Sequence, residues 1–74
     1  MRKTLTPAYG RDYRSAKAAK ADFLGGMDFV IADISDPYDG KPANLQDMRD
    51  AGISEVTLRF QNLTKLTVVK VPAS

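Results

Sequence analysis

Residues 27–34, MDFVIADI, constrain this chain more than any other stretch. Phe29, Val30 and Ile31 are aromatic or β-branched, types that suit a pleated, buried surface. With period-two alternation, Met27, Phe29 and Ile31 share one face and Asp28, Val30, Ala32 and Ile34 the other, so both faces carry apolar groups. A strand of that kind lies inside a sheet rather than at its edge. Gly25 and Gly26 precede it and Ser35, Asp36 and Pro37 follow, so turn-forming residues bracket it.

The other elements are read as packing onto this strand. Residues 3–9 form a short strand or extended arm in which Thr4 and Thr6 flank Leu5; Pro7 lacks a backbone donor and predicts an edge position or a strand end. Ser15 caps a helix over SAKAAKADFL, with Ala16, Ala19 and Phe23 on one narrow stripe and Gly25 in the left-handed position that ends it. Asn44 starts a short second helix, with Asp47 at the third position of a capping box, Ala43 and Met48 as a hydrophobic staple, and Gly52 with Ile53 closing it.

Residues 55–60 alternate cleanly, with Val56, Leu58 and Phe60 on one face. Gln61 to Thr64 connect them to a returning strand over 65–71, which Pro72 ends. In that strand Leu66 and Val68 have one parity and Val69 and Val71 the other, which predicts a bulge near Val68 or burial on both faces. The reading is one α+β domain over residues 1–74, in the order β, α, β, short α, β, β, with a C-terminal antiparallel hairpin. The predicted core is Leu5, Ala19, Phe23, Phe29, Ile31, Met48, Ile53, Val56, Leu58, Phe60, Leu66 and Val68.

Seventy-four residues stand near the lower limit for a single hydrophobic core. The chain has neither cysteine nor histidine, so disulfides, thiolate chemistry, imidazole acid–base work and the commonest zinc ligands are excluded together. Stability then rests on packing or on self-association, and a homodimer is as compatible with this length as a monomer. Neither a signal-peptide-like apolar run at the start nor the ~20 apolar residues of a membrane span occurs, which predicts a cytoplasmic protein that makes no membrane contact.

Net charge is +2, unevenly spread. Residues 1–20 hold Arg2, Lys3, Arg11, Arg14, Lys17 and Lys20 against Asp12 alone, whereas 21–50 hold seven aspartates against Lys41 and Arg49. Tyr9 and Tyr13 interleave with Arg11 and Arg14, a composition able to stack on bases and pair with phosphates, although two tyrosines lying over a small core with their hydroxyls at the surface is the preferred reading. Tyr9, Arg11, Tyr13, Arg14, Lys17 and Lys20 are therefore the candidate nucleic-acid-binding residues. Asp33, Asp36 and Asp39 recur every third residue but lack the EF-hand pattern, and are read as turn-forming acids rather than a metal site.

The segments TLTPAYGRDY, DFVIAD and DGKPAN, with the closing hairpin, resemble small uncharacterised proteins carried by bacteriophage genomes. That resemblance implies expression in a bacterial cytoplasm and an accessory role in binding host or phage macromolecules, with no site residue attached. The residues themselves offer no phosphate-cradling glycine loop and no histidine to activate Ser15, Ser35 or Ser54, so no enzyme, catalytic residue, cofactor or metal is predicted. The expected function is a non-enzymatic protein-binding module presenting an edge strand or the acidic loop to an unidentified partner or to itself. Nucleic-acid binding by the basic N-terminal third is the alternative. It gains if the six cations share one exposed face and loses if Asp22, Asp28 or Asp47 engages them.

Overall fold

A computed structural model describes residues 2–72, with only the backbone of Arg2. The elements are β1 (Arg2–Pro7), α1 (Ala16–Leu24), β2 (Phe29–Ile31), β3 (Pro42–Ala43), α2 (Leu45–Asp50), β4 (Glu55–Phe60) and β5 (Lys65–Lys70). They build one α+β domain around a mixed five-stranded sheet of order β3-β2-β1-β4-β5. β1 runs antiparallel to β2 and parallel to β4; the β2–β3 and β4–β5 pairs are antiparallel.

The predicted order is present with the two-residue β3 added, but the centre of the sheet lies elsewhere than expected. β1 is the middle strand rather than an edge, and Pro7 is its last residue, the strand end that the proline also predicted. Pro7 is tolerated because pairing with β4 stops at Leu5 opposite Leu58, so a missing N–H at position 7 costs no ladder bond there. β2 has a neighbour on each side, as its two apolar faces predict, yet it spans three residues rather than eight. Met27 lies outside it and Ile34 is 96% exposed, because the turns that begin at Asp33 carry the chain off the sheet.

Both helices contribute to the apolar cluster on one face of the sheet. Ala19 and Phe23 of α1 and Leu45 and Met48 of α2 join Leu5, Phe29, Ile31, Val56, Leu58, Phe60 and Val69 there. Phe23 meets Phe29 edge-on and Tyr13 stacks on Phe29, each at 5.9 Å between ring centres. Leu66 and Val68 are not in this core, being 63% and 46% exposed. The β4–β5 register is continuous, with Thr67 opposite Leu58 and Val69 opposite Val56, so no bulge intervenes and Val69 faces inward in their place. The other face, carrying Thr4, Thr6, Val30, Thr57 and Arg59, has no helix over it.

The helix ends follow local chemistry. The Ser15 side chain accepts from the Ala18 N–H. Asn44 and Asp47 form the reciprocal capping box, and Ile53 N–H bonds Met48 O at 2.9 Å beyond a left-handed Gly52. At the end of α1 the left-handed residue is Gly26 (φ 95°), not Gly25 (φ −80°): the helix runs one residue further before Met27 N–H closes on Asp22 O.

Candidate functional site

The residues nominated for nucleic-acid contact divide into two groups. Arg11 and Tyr13 are engaged inside the protein. The Arg11 guanidinium donates to the Tyr13 hydroxyl and to the carbonyl oxygen of Asp28, its Nε donates to Ala8 O at 3.0 Å, and its Cζ lies 5.3 Å from the centre of the Phe29 ring. The Tyr13 hydroxyl donates to Asp22 Oδ2 at 2.7 Å, and Arg11 Nη1 stands 3.8 Å from the same oxygen. Burial, and then the hydrogen bond to Asp22, push the Tyr13 hydroxyl up to about 12.

The second group stays at the surface. Tyr9 is 77% exposed in a left-handed turn, and Arg14, Lys17 and Lys20 are exposed beside and along α1. Lys17 and Lys20 are one turn apart, on the exposed side of the helix that adjoins the buried stripe of Ala19 and Phe23. The six basic positions therefore do not form one continuous face. Lys3 is bonded to Asp36, Arg11 is turned inward, and the side chain of Arg2 lies outside the described residues. Asp12, the sole acid of that third, spans the gap to the hairpin loop, accepting the N–H of Asn62 at 2.9 Å.

Each carboxylate of the Asp33, Asp36 and Asp39 series has a turn to hold. Asp33 accepts from Ser35 N–H and hydroxyl, Asp36 from Tyr38 N–H, and Asp39 from Asp33 N–H. Asp36 also takes the Lys3 ammonium, with the two side chains 16% (Lys3) and 8% (Asp36) exposed. The Lys3 bond, and then the Tyr38 N–H, hold the Asp36 carboxyl below the usual carboxylate range. Beside this pair a cleft of about 470 Å³ opens over Ile31, Ala43 and Met48. Asp47 on its wall is committed to the capping box and Asp50 accepts from Gln46, while Tyr38 and Lys41 also line the cleft.

The β5 edge is a different kind of surface. Val71 N–H bonds Ser54 O at 2.9 Å, which sets the phase of the antiparallel ladder. The hydrogen-bonded pairs are then Val56 with Val69, Leu58 with Thr67 and Phe60 with Lys65. By the same alternation, the N–H and C=O groups of Leu66, Val68 and Lys70 point away from β4, where no strand of the described residues pairs with them. The strand is six residues long, free of proline and unbulged, and its exposed Leu66 and Val68 stand on the helix-free face. The opposite edge, β3, has two residues, one of them Pro42.

No protein family, curated protein or solved structure matches the chain. Among the described residues, no helix is long and apolar enough to cross a membrane.

The outward row of β5 was hidden from sequence reasoning by placing Leu66 and Val68 in the core. A usable signal was nevertheless present. With Phe60 inward and a four-residue connection, Lys65 falls opposite Phe60 on the same face, and Thr67 and Val69 follow it inward. The connection itself had no such signal: Gln61, Asn62 and Leu63 all take positive φ without a glycine.

Proposed function

We propose that this chain is a non-enzymatic interaction module that takes an extended segment of another protein onto the β5 edge. The observation that carries the reading is the outward row of backbone groups at Leu66, Val68 and Lys70, on a strand whose exposed side chains are the apolar Leu66 and Val68 between Lys65 and Lys70. Main-chain bonds to such an edge supply affinity, and the alternating side chains supply selectivity. The test is selection of a random ten-residue peptide library on the immobilised protein, with Val68→Pro as the counter-screen because it deletes the central outward N–H. Peptides that lose at least about tenfold in affinity for that variant support edge pairing. Enriched peptides indifferent to it overturn the reading.

Nucleic-acid binding is the second reading, favoured by the exposed trio Arg14, Lys17 and Lys20 and by the exposed Tyr9 ring. It rests on three cations rather than six. Titration of fluorescent single-stranded DNA and RNA tests it: binding has to weaken as salt rises, and has to be lost when Arg14, Lys17 and Lys20 are replaced together by alanine. Absence of binding at low salt overturns it.

A further inference from the structure

We infer that the β5 edge selects an acidic extended segment, one with a carboxylate near each end of a short alternating aliphatic run. This rests on the reading of β5 as a strand-addition edge and adds the chemistry of the partner. β5 carries Lys65 and Lys70, one near each end, and no acid. On β4, Arg59 stands opposite Leu66, and the single acid of that strand, Glu55, stands opposite Lys70. The margin offered to an incoming strand carries one lysine at each end, Lys65 on the helix side and Lys70 beside Glu55 on the helix-free face, and Leu66 and Val68 between.

Register turns that charge map into a pattern. An antiparallel partner that satisfies the outward row places residues opposite Leu66, Val68 and Lys70 on the helix-free face, and residues opposite Lys65, Thr67 and Val69 on the helix side. Opposite Leu66 and Val68, aliphatic side chains extend an apolar strip that is now exposed. Opposite Lys65 and Lys70, carboxylates form cross-strand pairs of opposite charge. The matching strand therefore reads acid, any residue, aliphatic, any residue, aliphatic, acid.

A second copy of the chain fits less well. Two β5 strands paired antiparallel bring four lysines and no carboxylate of their own onto one two-stranded ribbon, the charge arrangement by which natural edges resist self-pairing. The short β3 edge with Pro42 offers no alternative mate. A foreign acidic strand avoids both problems.

The experiment uses the full chain, ¹⁵N-labelled, with two blocked peptides of core Glu-Thr-Val-Thr-Val-Glu and Lys-Thr-Val-Thr-Val-Lys. The glutamate peptide is expected to slow exchange of the Leu66, Val68 and Lys70 amides and to bind about tenfold or more tightly than the lysine peptide, with a preference that shrinks in salt. A Lys65→Glu/Lys70→Glu variant, which leaves the backbone donors intact, has to invert the preference. Equal binding of both peptides with the three amides protected overturns the acidic preference and leaves strand addition standing. Failure of both peptides to protect those amides overturns strand addition itself. Protection in the free protein that rises with its concentration, accompanied by a dimer mass, overturns the inference in favour of a second copy.

Discussion

Arg11 reaches the carbonyl oxygen of Asp28 across a separation of 17 residues, and in doing so lies against the ring of Phe29. A cation from the basic N-terminal third thereby closes one end of the core, tying the segment after β1 to the entry of β2. That single contact makes Arg11 part of the scaffold and separates it from Arg14, three positions on and fully at the surface.

Arg11→Ala is expected to destabilise the protein by about 1–3 kcal/mol, because the Asp28 carbonyl and the Tyr13 hydroxyl lose a charged donor. Arg14→Ala is expected to stay within about 0.5 kcal/mol of the parent. Urea unfolding of the two variants checks the contrast, and equal midpoints would remove Arg11 from the scaffold. Arg11→Lys does not restore the loss, since an ammonium cannot reproduce the forked contacts.

Tyr13 predicts a loss of stability in alkali. Its hydroxyl is raised to about 12 in the folded protein, above the unfolded value of about 10. The neutral phenol is the form the fold prefers, so the contribution is complete below pH ~10 and disappears as pH rises through ~12. Tyrosinate absorbance should show a late-titrating phase that is missing in Tyr13→Phe. Thermal melts from pH 9 to 12 should decline less steeply for the variant.

Asp36 predicts the opposite limb. Its carboxyl is held low by Lys3, so the contribution exists above the unfolded carboxylate value and is lost as pH falls through the lower folded one. Acidification below pH ~4 is expected to release the 33–41 loop from β1. The protection factors of the Asp39 and Gly40 amides, whose N–H groups close that loop, should fall in acid. In Lys3→Met, the folded Asp36 carboxyl is expected to titrate at a higher pH, and an unchanged titration would show that Lys3 is not what holds it down.

Asp12 holds the strained hairpin connection. Three consecutive non-glycine residues at φ 50°, 56° and 64° each cost on the order of 1 kcal/mol, and the Asp12 carboxylate together with Tyr13 O receives two of their N–H groups. Asp12→Ala is expected to cost about 1–3 kcal/mol and to speed exchange of the Asn62 amide specifically. Exchange that rises uniformly instead would indicate a global effect unconnected with the loop.

Phe29→Ala removes the ring on which Tyr13 stacks and against which Phe23 packs. A loss of about 3–5 kcal/mol is expected, comparable to the whole stability of a domain this small. Near-parent stability by urea denaturation would show that this ring does not organise the core.

The parts of the fold that were legible in the sequence are those decided locally. Asn44 and Asp47 announce a capping box by residue type and spacing alone, and the alternation of Val56, Leu58 and Phe60 declares an inward face. What was not legible depends on partners distant in the chain. Pro7 is compatible with an edge or a strand end until β4 is known to stop pairing at Leu58, and Met27–Ile34 looks continuous until β3 proves to be two residues long. For the site, Tyr13 and Arg11 have the same composition whether they face a base or a core. Only the position of Asp22 and Asp28 in space distinguishes the two, and no local pattern encodes it.

The parallel pairing of β1 with β4 has a consequence for the birth of the molecule. The middle strand of the sheet is synthesised before the sheet's other strands, and one of its two neighbours begins more than fifty residues later, with Arg2 opposite Glu55. The β3-β2-β1 fragment, with α1 and α2, is all of the sheet that can form before then, and it leaves one long side of β1 unpaired. Closure waits until synthesis has passed residue 60, so the nascent chain carries its own exposed edge until β4 is made, and folding is set by a long-range event rather than by the helices.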